Sequence, residues 1–252
     1  DYPPVITAIL GEFLVAASLL SATLKFKGIV SIQAIGQGTI TSIMAECSNN
    51  TQLRGIVRGD YQSIGDNENF KTLLGSATLA ITIEPEGRER YQGLVPMDKD
   101  SLSECLEYYF DQSEQLSTKI KLTADQHTAA GVLIQEMPHS SNDEQARENW
   151  QHLSVLLESL KPEEQLKLEH EEQLYRLFHE QKVRLFEREK LQFFCSCSKA
   201  RTAKMLVSLG ADEVNQIIQE QGLIDVNCEF CDQHYQFDQS DIDEIFNQPS
   251  VH

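Results

Sequence analysis

Four of the chain's six cysteines lie close together in sequence, as Cys195-Ser196-Cys197 and Cys228-Glu229-Phe230-Cys231, with thirty residues between the pairs. Each pair offers two thiolates from one short loop, and the intervening chain can fold back to bring the loops together. That is the pattern of a tetrahedral metal site. Four soft sulfur ligands with no carboxylate select zinc, or an iron–sulfur cluster as the second choice. The bland alternative is a small zinc ribbon that only holds the C-terminal part together.

The C-x-C half is the more informative. Structural zinc sites usually place two to four residues between paired ligands. With one spacer, Cys195 and Cys197 can join in a small strained ring if the metal leaves, while Cys228 and Cys231 have the spacing of redox-active dithiols. The same sulfurs can therefore exist as a zinc tetrathiolate or as two local disulfides, and strained, exposed disulfides tend to be labile. His234, three residues after Cys231, is an alternative ligand, although four thiolates already fill a tetrahedron.

The elements that must carry these loops follow from the pattern upstream. Pro3-Pro4 opens an apolar helix to Leu24, since prolines at a helix start sacrifice no hydrogen bond. Glu12 and several hydroxyl residues interrupt this stretch. The expectation is a helix buried on most faces, with no membrane partner. Alternation then gives strands at 29–35, 39–47 and 53–58, with turns at Gly36-Gln37-Gly38 and Asn49-Asn50. A hairpin joins 78–84 to 90–97 around Pro85-Glu86-Gly87. Ser101 and Glu104 form a capping box for a helix over 101–115, with Leu102, Cys105, Leu106 and Tyr109 as its apolar stripe. Two more strands are expected at 118–124 and 129–137.

His139 to Asp143 reads as a polar linker, followed by a charged helical stretch to about Phe186. Twelve acidic and eight basic residues fall between Asp143 and Lys190. Trp150, Leu153, Leu156, Leu157 and Leu160 make one apolar face, and Leu166, Leu174, Leu177 and Phe178 another. Such amphipathic segments cover a partner surface and are marginal alone. The expected fold class is α+β, a mainly antiparallel sheet with packed helices. The divisions are a core domain at 1–138, a charged helical linker at 139–190 and a C-terminal cysteine module at 191–252.

The formal net charge is −18 over 252 residues. From Leu191 onward there are ten acidic and three basic residues. Such a surface repels phosphate backbones, so no nucleic-acid partner is expected. Metal-type cysteine spacing, with Cys47 and Cys105 isolated in apolar patterns, suits a reducing compartment, and the expected location is the cytoplasm. No leader with a basic start is visible. Gly36-x-Gly38 lacks the third glycine of a nucleotide loop and sits between strands. There is no P-loop, no nucleophile elbow, no H-E-x-x-H and no distinct carboxylate pair. A zinc hydrolase or a thiol–disulfide enzyme remains the competing class. Against it, four cysteines leave no open coordination position, and the expectation is a protein that is not an enzyme.

Several blocks together resemble the 33 kDa redox-regulated heat-shock chaperones of bacteria. They are Leu10-Gly11-Glu12 through Ala22-Thr23-Leu24-Lys25-Phe26, then Arg90-Tyr91-Gln92-Gly93-Leu94-Val95-Pro96. Glu104-Cys105-Leu106-Glu107-Tyr108-Tyr109-Phe110 with Ser113-Glu114-Gln115-Leu116 continues the likeness, as do Ala129-Ala130-Gly131 with Gln135. It closes on Phe194-Cys195-Ser196-Cys197-Ser198 and Cys228-Glu229-Phe230-Cys231 with Tyr235 and Phe237. The resemblance implies an ATP-independent holding chaperone that protects unfolding client proteins under oxidative stress. It implies one zinc held by Cys195, Cys197, Cys228 and Cys231 in an inactive reduced form. Hypochlorous acid, or peroxide with heat, would then form disulfides Cys195–Cys197 and Cys228–Cys231, expel the metal and give an active homodimer. Two departures stand out. Family members carry a further N-terminal helical segment not contained in this sequence, which bears on dimer contacts. A glycine expected after the last cysteine is replaced by Asp232, which bears on the turn alone.

Overall fold

A computed structural model describes residues 2–24, 27–61, 64–65, 69–137 and 144–247. The chain divides into two compact units, 1–193 and 194–252. The polar stretch expected at 139–143 lies outside the described residues.

The first unit is built around one apolar helix. Helix α1 (Pro4–Thr23) starts at a proline pair and buries Ile6, Ile9, Phe13, Ala16, Ala17 and Leu20. Its length and composition would let it cross a membrane. Here it packs on one side against β1 (Gly28–Gly36), β2 (Ile40–Ser48) and β3 (Gln52–Gly59), and on the other against the hairpin of β6 (Thr118–Ala124) and β7 (Ala129–Gln135). Gly131 permits the second approach: a Cβ there would come within 2.4 Å of Val15 Cγ1. The apolar stretch is thus a core helix with two covered sides, as its composition suggested.

The large sheet runs β5-β4-β1-β2-β3-β8, adding β4 (Ala77–Pro85), β5 (Tyr91–Pro96) and the two-residue strand β8 (Gln192–Phe193). The first five strands pair antiparallel, and β8 joins β3 in parallel. Asn49 and Asn50 take the left-handed backbone that the turn needs, at φ 50° and 66°. Gly36 and Gly38 pack against the end of a short helix α2 (Phe70–Leu74), which the sequence did not signal. Gln37 N–H and Gly38 N–H both donate to Leu74 O, so this loop serves packing.

Helix α3 (Leu102–Tyr109) buries the four residues of its expected stripe. The capping is a shifted box: Ser101 Oγ accepts from Glu104 N–H, while Glu104 Oε2 accepts from Asp100 N–H at 2.9 Å. The helix does not continue regularly to residue 115. A π-helical turn over Phe110–Glu114 ends at Gln115 in the left-handed region, which lets Phe110 stay in the core.

The charged stretch forms α4 (Glu144–Glu158), α5 (Pro162–Lys167) and α6 (His170–Phe178). Leu157, Leu160, Leu177 and Phe178 bury against Val132 and Ile134, the face of the hairpin turned from α1. Buried Gln165 fixes this packing, accepting from Thr123 Oγ1 at 2.6 Å and donating to Lys121 O at 2.9 Å. Helix ends at Phe178, short of the expected Phe186. Beyond it Val183, Leu185 and Phe186 are exposed, so no buried stripe sustains another turn.

Candidate metal centre

The second unit has a small apolar core of Leu206, Val214, Ile218, Ile224, Phe237 and Ile242. It comes from α7 (Lys199–Leu209), α8 (Ala211–Gln221), the hairpin of β9 (Ile224–Asn227) and β10 (His234–Phe237), and α9 (Gln239–Asn247). Glycines at φ 96° and 75°, Gly210 and Gly222, end α7 and α8.

Each cysteine pair occupies a loop fixed by hydrogen bonds. Cys195 and Cys197 lead directly into α7, whose N-cap Ser198 accepts from Arg201 N–H at 3.2 Å. Arg201 Nη1 reaches back to donate to Ser196 O at 3.2 Å and Ser196 Oγ at 2.5 Å, clamping the loop between the two sulfurs. Cys228 and Cys231 form the connection of β9 to β10. Cys228 N–H donates to Gln233 O, and Asp232 N–H donates to Cys228 O at 2.8 Å. Asp232 stands at φ 60°, a conformation easiest for glycine. Its Oδ1 accepts from Asn227 Nδ2 at 2.5 Å, tying the residue to the last position of β9. The departure from glycine is thus confined to the turn and compensated there.

The two turns bring all four Sγ atoms within 4.8 Å of one another. Contacts across the loops are 3.7 Å for Cys195–Cys228 and 3.3 Å for Cys197–Cys231. Four thiolates arranged tetrahedrally at about 2.3 Å from an ion have sulfur edges of about 3.8 Å. The donor set and its spacing can therefore hold a metal ion. Crowding has an electrostatic consequence. Desolvation first, then the neighbouring thiols, pushes the Cys231 thiol up to about 12. Bringing several thiolates together needs a compensating cation.

Alternation along β10 sorts the residues after the turn. Tyr235 Oη donates to Cys197 Sγ at 3.1 Å, and this hydrogen bond pushes the phenol up to about 12. His234, its neighbour on the opposite face, stands 3.6 Å from Asp225 Oδ1 and is not among the clustered ligand atoms. The sequence reading missed the Arg201 clamp and the role of Tyr235. The signal for Tyr235 was its even-numbered spacing from Phe237, once a strand is assigned there. Cys47 and Cys105 are fully buried in the first unit, apart from this cluster, and burial pushes both thiols up.

Residues 1–238 match the family model described as Hsp33 protein. A 33 kDa chaperonin of Hahella chejuensis is 44% identical over all of this chain and 88% of its own length. One from Ectopseudomonas mendocina is 42% identical over 97% of this chain and 84% of its own. The fold is similar to the crystal structure of the 33 kDa chaperonin of Thermotoga maritima, with a TM-score of 0.84 at 22% identity over 97% of this chain and 86% of that one. With the family model covering nearly its whole length and relatives of this identity over full length, the chain belongs to the Hsp33 family.

Proposed function

We propose that this protein is a redox-regulated, ATP-independent holding chaperone that keeps unfolding proteins from aggregating under oxidative stress. The observation that carries this reading is the convergence of four sulfurs within 4.8 Å in a unit with a six-residue buried core, in a member of the Hsp33 family. Relatives at this identity are named chaperonins.

In the reduced form Cys195, Cys197, Cys228 and Cys231 hold one zinc ion as a closed tetrathiolate. Bound zinc supplies a cross-link between the two turns, worth about 10–16 kcal/mol in small structural domains. The remaining apolar core is too small to hold such a module folded by itself. Tyr235 and Arg201 orient the Cys197 side of the site. On oxidation Cys195 joins Cys197 and Cys228 joins Cys231. For each pair, counted as thiols, two S–H bonds break and one S–S bond forms. A peroxide takes up the two electrons and two protons as its O–O bond breaks, leaving two waters. The sulfurs then no longer bind the metal, the module loses its cross-link, and apolar surface becomes available to clients.

The divisions we assign to this cycle are the core at 1–138, the linker at 139–190 and the switch module at 191–252. The partners are unfolded or partly unfolded polypeptides, and a second copy in the oxidised state. An acidic surface of net charge −18 supports neither nucleic acid nor an anionic membrane as partner. A reducing cytoplasm suits the resting thiolates. A closed four-sulfur site also supports a non-enzymatic role, since a hydrolytic zinc keeps one position for water.

The experiment is zinc stoichiometry before and after peroxide at elevated temperature, read beside suppression of aggregation of a thermally unfolding protein. One zinc per chain, lost as suppression appears, is the expected result. Suppression equal in the reduced, metal-loaded state would overturn the switch, and turnover of a small disulfide substrate would favour a thiol–disulfide enzyme. Disulfide mapping without reduction tests the pairing, which runs within each turn although the sulfur contacts at 3.7 and 3.3 Å run between them.

A further inference from the structure

The loop that carries Cys228 and Cys231 closes on Cys228 from both sides. Cys228 N–H donates to Gln233 O at 3.0 Å, while Cys228 O accepts from Asp232 N–H at 2.8 Å and from Cys231 N–H at 3.3 Å. For these bonds to form together the chain must reverse between Cys231 and Gln233. Asp232 makes that reversal, at φ 60°. An L-residue there brings its Cβ close to the following carbonyl oxygen. Glycine escapes that cost, and a short polar side chain lowers it by bonding locally. Among the described residues of the second unit, Asp232 is the one residue other than glycine with positive φ.

The local bond is present, and its donor lies outside the reversal. Asn227 Nδ2 donates to Asp232 Oδ1 at 2.5 Å. Asn227 is the last residue of β9 and pairs with His234 of β10, so its backbone is anchored before the loop begins. Both residues are exposed, and neither belongs to the apolar core of the unit. Packing therefore does not hold Asp232 in the left-handed region, and the hydrogen bond to Asn227 is what favours it.

We propose that Asn227 and Asp232 are positioning residues of the metal centre: their hydrogen bond holds the left-handed backbone after Cys231, and so sets how tightly the four sulfurs retain a metal ion. The coupling runs through the main chain. Cys231 and Asp232 share a peptide, so the backbone at Asp232 fixes the direction in which the chain leaves Cys231. The two bonds on Cys228 then fix that residue against the same reversal. Groups that orient ligands in this way govern metal affinity without touching the ion. The inference rests on reading Cys195, Cys197, Cys228 and Cys231 as a zinc site.

Zinc affinity of the full reduced chain, measured by competition with a chromophoric chelator, tests it in two backgrounds. With Asp232 in place, Asn227→Ala should weaken zinc binding about fivefold. In the Asp232→Gly background the backbone needs no support, and the same substitution should change affinity by less than about twofold. Asp232→Ala keeps the strain and loses the acceptor, and should weaken binding about tenfold. Asp232→Asn keeps an amide oxygen at that place and should stay within about twofold of the unaltered chain. Amide exchange in the reduced chain gives a second readout: Asn227→Ala should quicken it at Cys228 and at residue 232, and adding Asp232→Gly should restore the protection. An equal loss of affinity from Asn227→Ala in both backgrounds makes Asn227 an ordinary strand residue and overturns the proposal. Asp232→Asn as weak as Asp232→Ala makes the carboxylate charge the determinant and overturns it too. No zinc uptake by the unaltered reduced chain sinks the metal reading and the proposal together, whereas the other two failures leave the metal reading standing.

Discussion

Tyr235 and the two buried cysteines separate what the metal needs from what the core needs. The Tyr235 hydroxyl donates to Cys197 Sγ from the strand that follows the turn. Groups that orient a ligand typically account for 10–100-fold in metal affinity. Tyr235→Phe should therefore release zinc to a chelator at about tenfold lower chelator concentration, and faster under peroxide, with the four sulfurs intact. A colorimetric zinc indicator reads both. Cys47 and Cys105 are fully enclosed and their thiols are pushed up by burial, which keeps them protonated and inert. Replacing both with alanine should leave oxidative activation unchanged and lower stability by about 1–2 kcal/mol per site. Thermal unfolding beside the aggregation assay checks both halves.

At the scale of elements, α1 carries a pH dependence. Burial raises the Glu12 carboxyl from 4.5 to about 7. Below 4.5 both the folded and unfolded chains are protonated there, and nothing is lost. Between 4.5 and about 7 the unfolded chain releases the proton while the folded one keeps it, so stability falls as pH rises and the loss is complete above about 7. Glu12→Gln should raise the melting temperature near pH 8 and leave it unchanged near pH 4, a gain of about 1–3 kcal/mol at the higher pH. Helices α4 to α6 are held differently, by Leu157, Leu160, Leu177 and Phe178 and by Gln165 hydrogen-bonded to Thr123 and Lys121. Gln165→Ala leaves the half-buried carbonyl of Lys121 without that donor, a loss of about 1 kcal/mol. Amide exchange should quicken over 162–178 while the β1–β4 pairing keeps its protection.

For the whole molecule, the expectation is graded stability. The first unit has a continuous core around α1, whereas the second, among the described residues, has a core of six buried apolar residues and four clustered cysteines that could hold a metal ion. Oxidation should remove exchange protection from 194–247 and from α4, α5 and α6, while strands β1 to β7 stay protected. Anti-aggregation activity should rise in step with zinc release. Activity with the linker helices still fully protected would move client binding elsewhere, and a strictly monomeric oxidised chain by light scattering would remove the dimer from the reading.

The cysteine spacing alone singled out the four sulfurs that the fold brings within 4.8 Å of one another, because two close pairs on two loops suit a shared ligand site. Local periodicity likewise determined α1, the antiparallel strands and the Asn49-Asn50 turn, since hydrophobic alternation and turn preference act within a few residues. Other features depended on partners far away in the chain. The helical stretch stops at Phe178, the last residue of it packed toward Val132 and Ile134, because Val183, Leu185 and Phe186 beyond it find no surface to bury against. Residues 199–221 form two helices because Leu206, Val214 and Ile218 find Ile224 and Phe237 across the unit. Tyr235 meets Cys197 only when β10 is paired to β9. Strand β8 is a strand only through its pairing with β3. In each case side-chain type sets what a residue can do, but burial and main-chain pairing are properties of two surfaces, and the second surface is supplied by the fold.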